Sequence, residues 1–149
     1  MRFHLIDRVV SCEPGKAVHG RKLTSLSEEY WEETAEGLRM PPPLALEALC
    51  QAGTWLIMIT TERRKRAALL SIGSVNFLGP ISPGDVLELE GTVDSWSDEV
   101  AVVSGRVTID ERVVLEANEI MCALMDADRL ADLDDTERLQ LMLTREESS

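Results

Sequence analysis

The sequence predicts an α+β fold in which an antiparallel sheet wraps around one long central helix. Two observations carry this prediction: a single apolar run over residues 44–59 and, after it, four strand-like segments separated by short turns. A third is the length of 149 residues with 44% hydrophobic content, which favours one globular domain. Residues 1–125 are expected to form this domain, and residues 126–149 an acidic helical tail.

The chain before the helix is predicted to form a hairpin followed by a loop. Residues 3–10 are strand-like, residues 13–16 have turn chemistry, and a second short strand is expected over residues 17–23. Residues 25–37 are acidic and irregular, which predicts a loop with one helical turn.

Three consecutive prolines at positions 41–43 predict that the central helix begins near Pro42. Proline is tolerated in the first helical turn, where backbone N–H groups have no intrahelical partner. The following run is apolar nearly all round, which indicates a helix covered on most sides. It contains Glu47 and Gln51 and is shorter than the roughly 18 residues that suggest a membrane span, so a buried helix is expected and no membrane contact.

The predicted strands after the helix cover residues 69–78, 85–96, 99–109 and 112–125. Their short connections predict antiparallel neighbours. A single sheet leaves one side of so apolar a helix uncovered, which predicts a second copy of the chain or a similar chain there. Residues 134–137 have capping-box spacing and predict a solvated terminal helix within the tail, which holds eight acids and three arginines.

Charge and cysteine usage narrow the range of partners and cofactors. The formal net charge of −12 argues against nucleic acid, because phosphate-backbone binding depends on cationic side chains. Asp7 interrupts the first apolar residues, so no secretory signal is expected and the cytoplasm is the expected location. The three cysteines, Cys12, Cys50 and Cys122, are far apart and predict neither disulfides nor a metal site.

Glu47 is the only charged residue between Pro43 and Thr61, and Gln51 and Thr54 share its helical face. A carboxylate removed from water must be hydrogen-bonded, paired, protonated or open to a wet cleft. In such surroundings its pKa could be raised to suit proton transfer. The alternative is that Glu47 is a structural residue whose carboxylate is hydrogen-bonded or paired where two chains meet in a dimer.

The helix motif Met40-Pro41-x-x-Leu44-x-x-Glu47-Ala48-Leu49-x-Gln51 resembles that of the FabZ-type 3-hydroxyacyl-(acyl carrier protein) dehydratases. Further similar segments are Ile6-Asp7-Arg8-Val9, Val75-Asn76-Phe77, Pro83-Gly84-Asp85 and Glu119-x-Met121-Cys122-Ala123. The resemblance covers residues 2–125. It implies the hotdog fold, in dimers or higher assemblies with two sites at each dimer interface.

The same resemblance implies conversion of a 3-hydroxyacyl thioester to a trans-2-enoyl thioester in fatty-acid or polyketide type metabolism, with no cofactor. It gives Glu47 the role of the catalytic carboxylate and Gln51 that of its neighbour. We take Gln51, Thr54 and Leu44 as candidate substrate-binding residues.

Two departures from the family motif G-H-F-P-x-x-P-x-M-P-G predict weak catalysis. Counting back from Met40 places Glu33 where the histidine belongs, or Thr34 if one residue is deleted. Pro42 replaces a glycine whose N–H can polarise the thioester carbonyl, and proline has no N–H. Loss of such a donor costs about 10²–10³ in rate, and loss of an acid/base group about 10²–10⁴.

The leading hypothesis is therefore a divergent, dehydratase-like protein that binds acyl thioesters and is catalytically impaired or serves as a non-catalytic subunit. An active dehydratase using Glu47 with an unidentified or partner-supplied group stays open, as does a thioesterase using Glu47. His4 and His19 lie on the predicted N-terminal strands, and nothing in the sequence brings them to Glu47. Cys50 is expected to be a packed thiol.

The expected partners are an acyl carrier protein or CoA thioester and a second hotdog chain. That chain forms a homodimer, a heterodimer with a paralogue, or a higher oligomer. A basic cluster, Arg63, Arg64, Lys65 and Arg66, follows the apolar helix. The resemblance suggests it as a docking patch for an acidic carrier, whereas a solvated helix cap is the plainer interpretation.

Overall fold

The structure, a computed structural model, describes residues 5–127 and 140–144. Its elements are β1 (Arg8–Glu13), β2 (Ala17–Leu23), β3 (Glu32–Thr34), β4 (Gly37–Arg39), α1 (Pro42–Thr60), β5 (Lys65–Phe77), β6 (Val86–Trp96), β7 (Val100–Ile109) and β8 (Arg112–Asp126). Six strands form one antiparallel sheet in the order β1-β2-β6-β7-β8-β5, and β3 pairs with β4 separately. The predicted class, one long helix against an antiparallel sheet, is confirmed.

Helix α1 begins where the prolines predict, with proline in its first turn and the Leu44 N–H donating to the Pro41 carbonyl at 2.9 Å. It ends at Thr60. Glu62 and Arg63 then take positive φ values of 53° and 66°, and the Arg63 N–H donates to the Met58 carbonyl at 2.7 Å. Such left-handed residues with backward hydrogen bonds satisfy the last carbonyls of a helix.

The core lies between α1 and the inner face of the sheet. One side of the helix supplies small residues, among them Ala45, Ala48 and Ala52, which are at most 1% exposed and allow the sheet to approach closely. Larger residues fill the layer between them, including Leu56, Leu87, Leu89, Val107 and Leu115. Burial of this apolar surface is the main force that holds α1 to the sheet.

By length and mean hydropathy (1.3), α1 is a candidate membrane span, and 44% of that stretch is buried inside the fold. The helix meets the length criterion because it extends beyond the apolar run of residues 44–59 at both ends. A core helix of a globular protein passes the same test, and the packing of α1 on the sheet accounts for its apolar character.

The structure corrects the predicted strand neighbours. The segment before β6 connects it to β5, yet β5 pairs with β8 at the far edge of the sheet. The connection crosses the end of the sheet near the start of α1, where the Met40 N–H donates to the Ile81 carbonyl at 2.9 Å. Ile81 is 5% exposed, so this crossing segment is anchored in the core.

The predicted loop with one helical turn over residues 25–37 is also corrected, because its second half forms the β3–β4 hairpin. The Thr34 hydroxyl donates to the Gly37 carbonyl at 2.8 Å and accepts from the Glu36 N–H at 3.2 Å. Gly37 has a φ of +112°, which favours glycine. A local side-chain turn thus closes a hairpin that hydrophobic periodicity does not reveal.

A buried lysine holds the segment that precedes this hairpin. Lys22 is 7% exposed, and its Nζ lies 3.3 Å from Glu28 Oε2 and 3.8 Å from Asp7 Oδ2. Burial, followed by the Glu28 carboxylate, raises the pKa of the nearby Tyr30. Trp31 Nε1 donates to the Ser25 carbonyl at 2.8 Å. These contacts fix the chain between β2 and β3.

Residues 140–144 are helical and return to the end of α1. Arg63 Nη1 donates to Gln140 Oε1 at 3.2 Å, and Leu143 is 2% exposed within the core cluster. Leu141 and Met142 are exposed. The described part of the expected solvated helix therefore buries one leucine. Its predicted start over residues 134–137 lies outside the described residues.

Candidate functional site

Glu47 lies on the side of α1 that faces away from the sheet, and its side chain is exposed. The expectation that Glu47 is removed from water is wrong for the single chain, because the sheet covers only the opposite side of the helix. The proposed face is nevertheless formed: Gln51 Nε2 donates to Glu47 Oε1 at 3.4 Å, and Gln51 Oε1 accepts from the Leu5 N–H at 2.8 Å. Gln51 therefore links Glu47 to the N-terminal segment.

The other two candidate binding residues are half-buried. The Thr54 hydroxyl donates to the Cys50 carbonyl one turn earlier at 3.0 Å. Leu44 packs against the edge of the core cluster near the start of α1. The helix thus presents an exposed carboxylate, an amide fixed by the backbone, and an apolar border.

A small apolar cavity of about 40 Å³ lies between the middle of α1 and the sheet. Its lining comes from α1, β5, β6, β7 and β8: Leu49, Cys50, Gly53, Thr54, Ala67, Leu69, Gly91, Val103, Gly105, Ile120 and Cys122. Thr54 belongs both to this lining and to the face that carries Glu47. The cavity therefore adjoins the candidate site. The cavity is not predicted from the sequence, because its walls come from five separate elements.

Cys50 lies one turn after Glu47 and lines the same cavity. Burial raises the pKa of the Cys50 thiol to about 11, with further contributions from the Glu47 charge and from Cys122. A thiol with so high a pKa is protonated at neutral pH and is a poor nucleophile. The geometry favours the packed-thiol interpretation of Cys50.

His19 lies on the opposite face of the sheet from α1. Its neighbours on β2, Val18 and Gly20, are buried toward the core, so the alternation of the strand directs His19 outward. His19 Nε2 contacts Glu88 Oε2, and Arg21 Nε donates to Glu88 Oε1 at 3.0 Å. The sheet thus separates His19 from Glu47, and His4 lies outside the described residues.

The positions where the resemblance places a histidine lie in β3. Glu33 is exposed, and the Thr34 hydroxyl is engaged in the hairpin turn. A groove of about 470 Å³ separates this hairpin from the start of α1, and Pro42 lines it. Arg39, which also lines the groove, donates to the Ser82 hydroxyl at 3.2 Å and to the Leu38 carbonyl at 2.8 Å.

The basic cluster is divided among several contacts. Arg63 binds Gln140, and Lys65 Nζ lies 2.6 Å from Asp126 Oδ1. The Arg64 side chain is 81% exposed, 3.8 Å from Glu62. Arg66 is half-buried on β5. Arg64 is therefore the most accessible of the three cations whose salt bridges or hydrogen bonds are described above. Across residues 5–127 and 140–144, no group of three or more His, Cys, Asp or Glu could hold a metal ion.

A long apolar helix packed on a six-stranded antiparallel sheet, with a polar stripe on its open side, defines a protein of the hotdog fold. Residues 1–118 match the family described as the FabA-like domain, and the chain belongs to that family. Among its relatives, the 3-hydroxyacyl-[acyl-carrier-protein] dehydratase FabZ of Roseiflexus castenholzii is 36% identical, covering 82% of this chain and 86% of the relative. FabZ of Bacillus licheniformis is 35% identical, covering 82% and 85%.

Solved structures share the fold at lower sequence identity. The smu.793 protein of Streptococcus mutans, bound to acetyl CoA, matches with a TM-score of 0.67 and 20% identity, covering 85% of this chain and 94% of its own. A chain of the dehydratase heterocomplex ApeI:P from Xenorhabdus doucetiae matches with a TM-score of 0.64 and 18% identity, covering 93% and 89%.

Proposed function

We propose that this chain is an acyl-thioester-binding hotdog subunit that contributes the Glu47 carboxylate but is catalytically impaired on its own. One observation carries the proposal: Glu47 lies on the open side of α1 with the Gln51 amide as its neighbour, while His19, the histidine that the structure describes, lies on the far face of the sheet. The start of α1 adds to it, because Pro42 has no N–H for a thioester carbonyl.

Dehydration of a 3-hydroxyacyl thioester needs a base that removes the C2 proton and an acid that protonates the departing 3-hydroxyl group. A single carboxylate cannot be deprotonated, as the base must be, and protonated, as the acid must be, at the same time. Gln51 is an amide and exchanges no proton, so it serves to orient Glu47. In this proposal Glu47 takes one role, Thr54 and Leu44 border the substrate, and the second role needs another chain.

The names of the relatives support the proposed ligand class. FabZ proteins are named for 3-hydroxyacyl groups on acyl carrier protein, and the smu.793 structure contains acetyl CoA. An acyl thioester of carrier protein or CoA is therefore the proposed ligand, in fatty-acid or polyketide type metabolism in the cytoplasm. Proton transfer by side chains calls for no metal or redox cofactor.

A second hotdog chain is the proposed partner. It would cover the open side of α1 and, if it carries a histidine, could place an imidazole beside Glu47. The ApeI:P dehydratase heterocomplex supports a paralogue in this role. A homodimer of this chain would cover the same surface. His19, the histidine within residues 5–127 and 140–144, would stay on the outer face of its own sheet, so in this proposal a paralogue supplies the imidazole.

The test is to incubate the purified chain with a 3-hydroxyacyl carrier thioester and with the matching CoA thioester. We expect saturable binding without enoyl product, and Glu47→Gln should change binding little, because it keeps the shape of the side chain. Enoyl product that Glu47→Gln abolishes would instead establish an active dehydratase. Release of free thiol would establish a thioesterase.

The basic cluster supplies a second test, of carrier docking. Reversal of Arg64 and Arg66 to Glu should weaken carrier binding about tenfold at low salt, because charge complementarity raises the encounter rate. The loss should shrink as salt screens the charges. Lys16→Glu, an exposed reversal in the β1–β2 turn, is the control. Unchanged carrier binding in the double variant would dismiss the patch.

A further inference from the structure

Gly53 lies in the interior of α1, where glycine is among the least favourable residues for a helix. A Cβ added at Gly53 would meet no atom within 4 Å. Gly105 on the facing sheet differs, because a Cβ there would lie 2.5 Å from the Glu90 carbonyl oxygen and 2.9 Å from Leu49 Cδ1. Close packing therefore explains Gly105 and leaves Gly53 unexplained.

The open space beside Gly53 belongs to the apolar cavity, and Gly53 forms part of the cavity wall. At about 40 Å³ the cavity has room for roughly three water-sized groups. Around Gly53 the helix lines it with Cys50 and Thr54, and β5 with Ala67 and Leu69. Cys50 lies close enough to Glu47 for the carboxylate to influence its pKa. Thr54, which lines the cavity, lies on the same helical face as Glu47, so the cavity borders the side of α1 that carries Glu47.

We propose that Gly53 determines acyl-chain length, since the missing side chain admits the alkyl end of a short acyl group into this cavity. The inference rests on the proposed function, because it takes the acyl thioester as the ligand. With C2 and C3 of the acyl group beside Glu47, room for about three groups corresponds to C4, C5 and C6. A six-carbon acyl chain then fills the cavity.

The experiment compares the binding of butanoyl-CoA, hexanoyl-CoA and dodecanoyl-CoA to the full chain by calorimetry. Hexanoyl-CoA should bind about tenfold more tightly than butanoyl-CoA, because two further methylene groups are buried. Dodecanoyl-CoA should gain nothing further. Gly53→Leu should remove the hexanoyl advantage while leaving butanoyl binding within about twofold, because butanoyl places only C4 in the cavity, whereas hexanoyl places C4, C5 and C6 there.

Two other variants serve as a milder substitution at Gly53 and as a control for added bulk. Gly53→Ala fills only one methyl group of space and should reduce hexanoyl binding about fourfold, which carries the test if the leucine variant does not fold. Thr92→Leu adds similar bulk on the exposed outer face of β6 and should preserve the hexanoyl advantage. Thermal unfolding of each variant confirms that it is folded.

A hexanoyl advantage that survives in both Gly53 variants would overturn the inference and leave the proposed function standing. Wild-type protein that binds none of the three thioesters would overturn both. A Gly53→Leu protein with an altered oligomeric mass and an intact hexanoyl advantage would show that Gly53 serves contact between chains, which also overturns the inference.

Discussion

At the scale of single residues, Glu47 shows how far helical periodicity can be taken. The spacing of Glu47 and Gln51 correctly predicts that both lie on one face, and their side chains form a hydrogen bond. Burial is a different property, because it depends on what covers that face. Residues from four strands, none apparent in the helix sequence, complete the lining of the adjacent cavity. A sequence pattern therefore identifies the polar stripe better than its solvent exposure.

Cys50 provides a titratable reporter beside Glu47. Its pKa of about 11 should shift the pH dependence of iodoacetamide alkylation upward, so that the rate keeps rising with pH to about 11. Glu47→Gln should lower this midpoint, because it removes a negative charge that opposes thiolate formation, while the larger effect of burial stays. Peptide mapping by mass spectrometry follows Cys50 separately from Cys12 and Cys122.

The raised pKa of the Cys50 thiol also affects the stability of the folded chain. The Cys50 thiol holds its proton more tightly in the folded chain than in the unfolded chain, where its ordinary pKa is near 9. Its contribution to the free energy of unfolding is therefore complete below about pH 9 and is lost as the pH rises toward 11.

An alkylation midpoint that does not move in Glu47→Gln would contradict the placement of the carboxylate beside this thiol.

At the scale of elements, features that depend on residues close together in the sequence are predicted accurately. Features that depend on contacts between distant residues are not. The start of α1 is local, because it depends on prolines and unpaired N–H groups, and it agrees with the structure. Strands β6, β7 and β8 begin or end within one residue of the predicted limits, since alternation and turns are also local signals. The β3–β4 hairpin depends on a Thr34 side-chain turn and is missed.

Strand pairing is less local than strand formation. The six residues between the predicted third and fourth strands suggest adjacency, yet β5 pairs with β8. The buried Ile81 instead lets the chain cross the end of the sheet. Gly53 carried a readable signal, a glycine inside an apolar helix, but its meaning depends on the empty space that the folded sheet leaves beside it.

At the scale of the whole molecule, α1 and β5 both carry features that a second chain could cover. Glu47 is exposed on α1, and Cys50, Ala67 and Leu69 from both elements line the cavity. Strand β5 is the last in the sheet order, so one of its edges has no neighbour within the sheet. An exposed edge with apolar side chains is a template for pairing with another chain.

Leu70 tests this pairing, because it is 57% exposed on β5 at the point where the register with β8 shifts. We expect the wild-type chain to form a homodimer at micromolar concentration, with twice the 16.6 kDa chain mass in sedimentation or light scattering. Leu70→Lys should shift the protein to the monomer, because a charge at the edge opposes strand pairing. Leu141→Lys, on the exposed side of the terminal helix, is the matched control and should remain dimeric. A wild-type mass of 16.6 kDa would contradict the homodimer, and a Leu70→Lys dimer would place the contact away from β5.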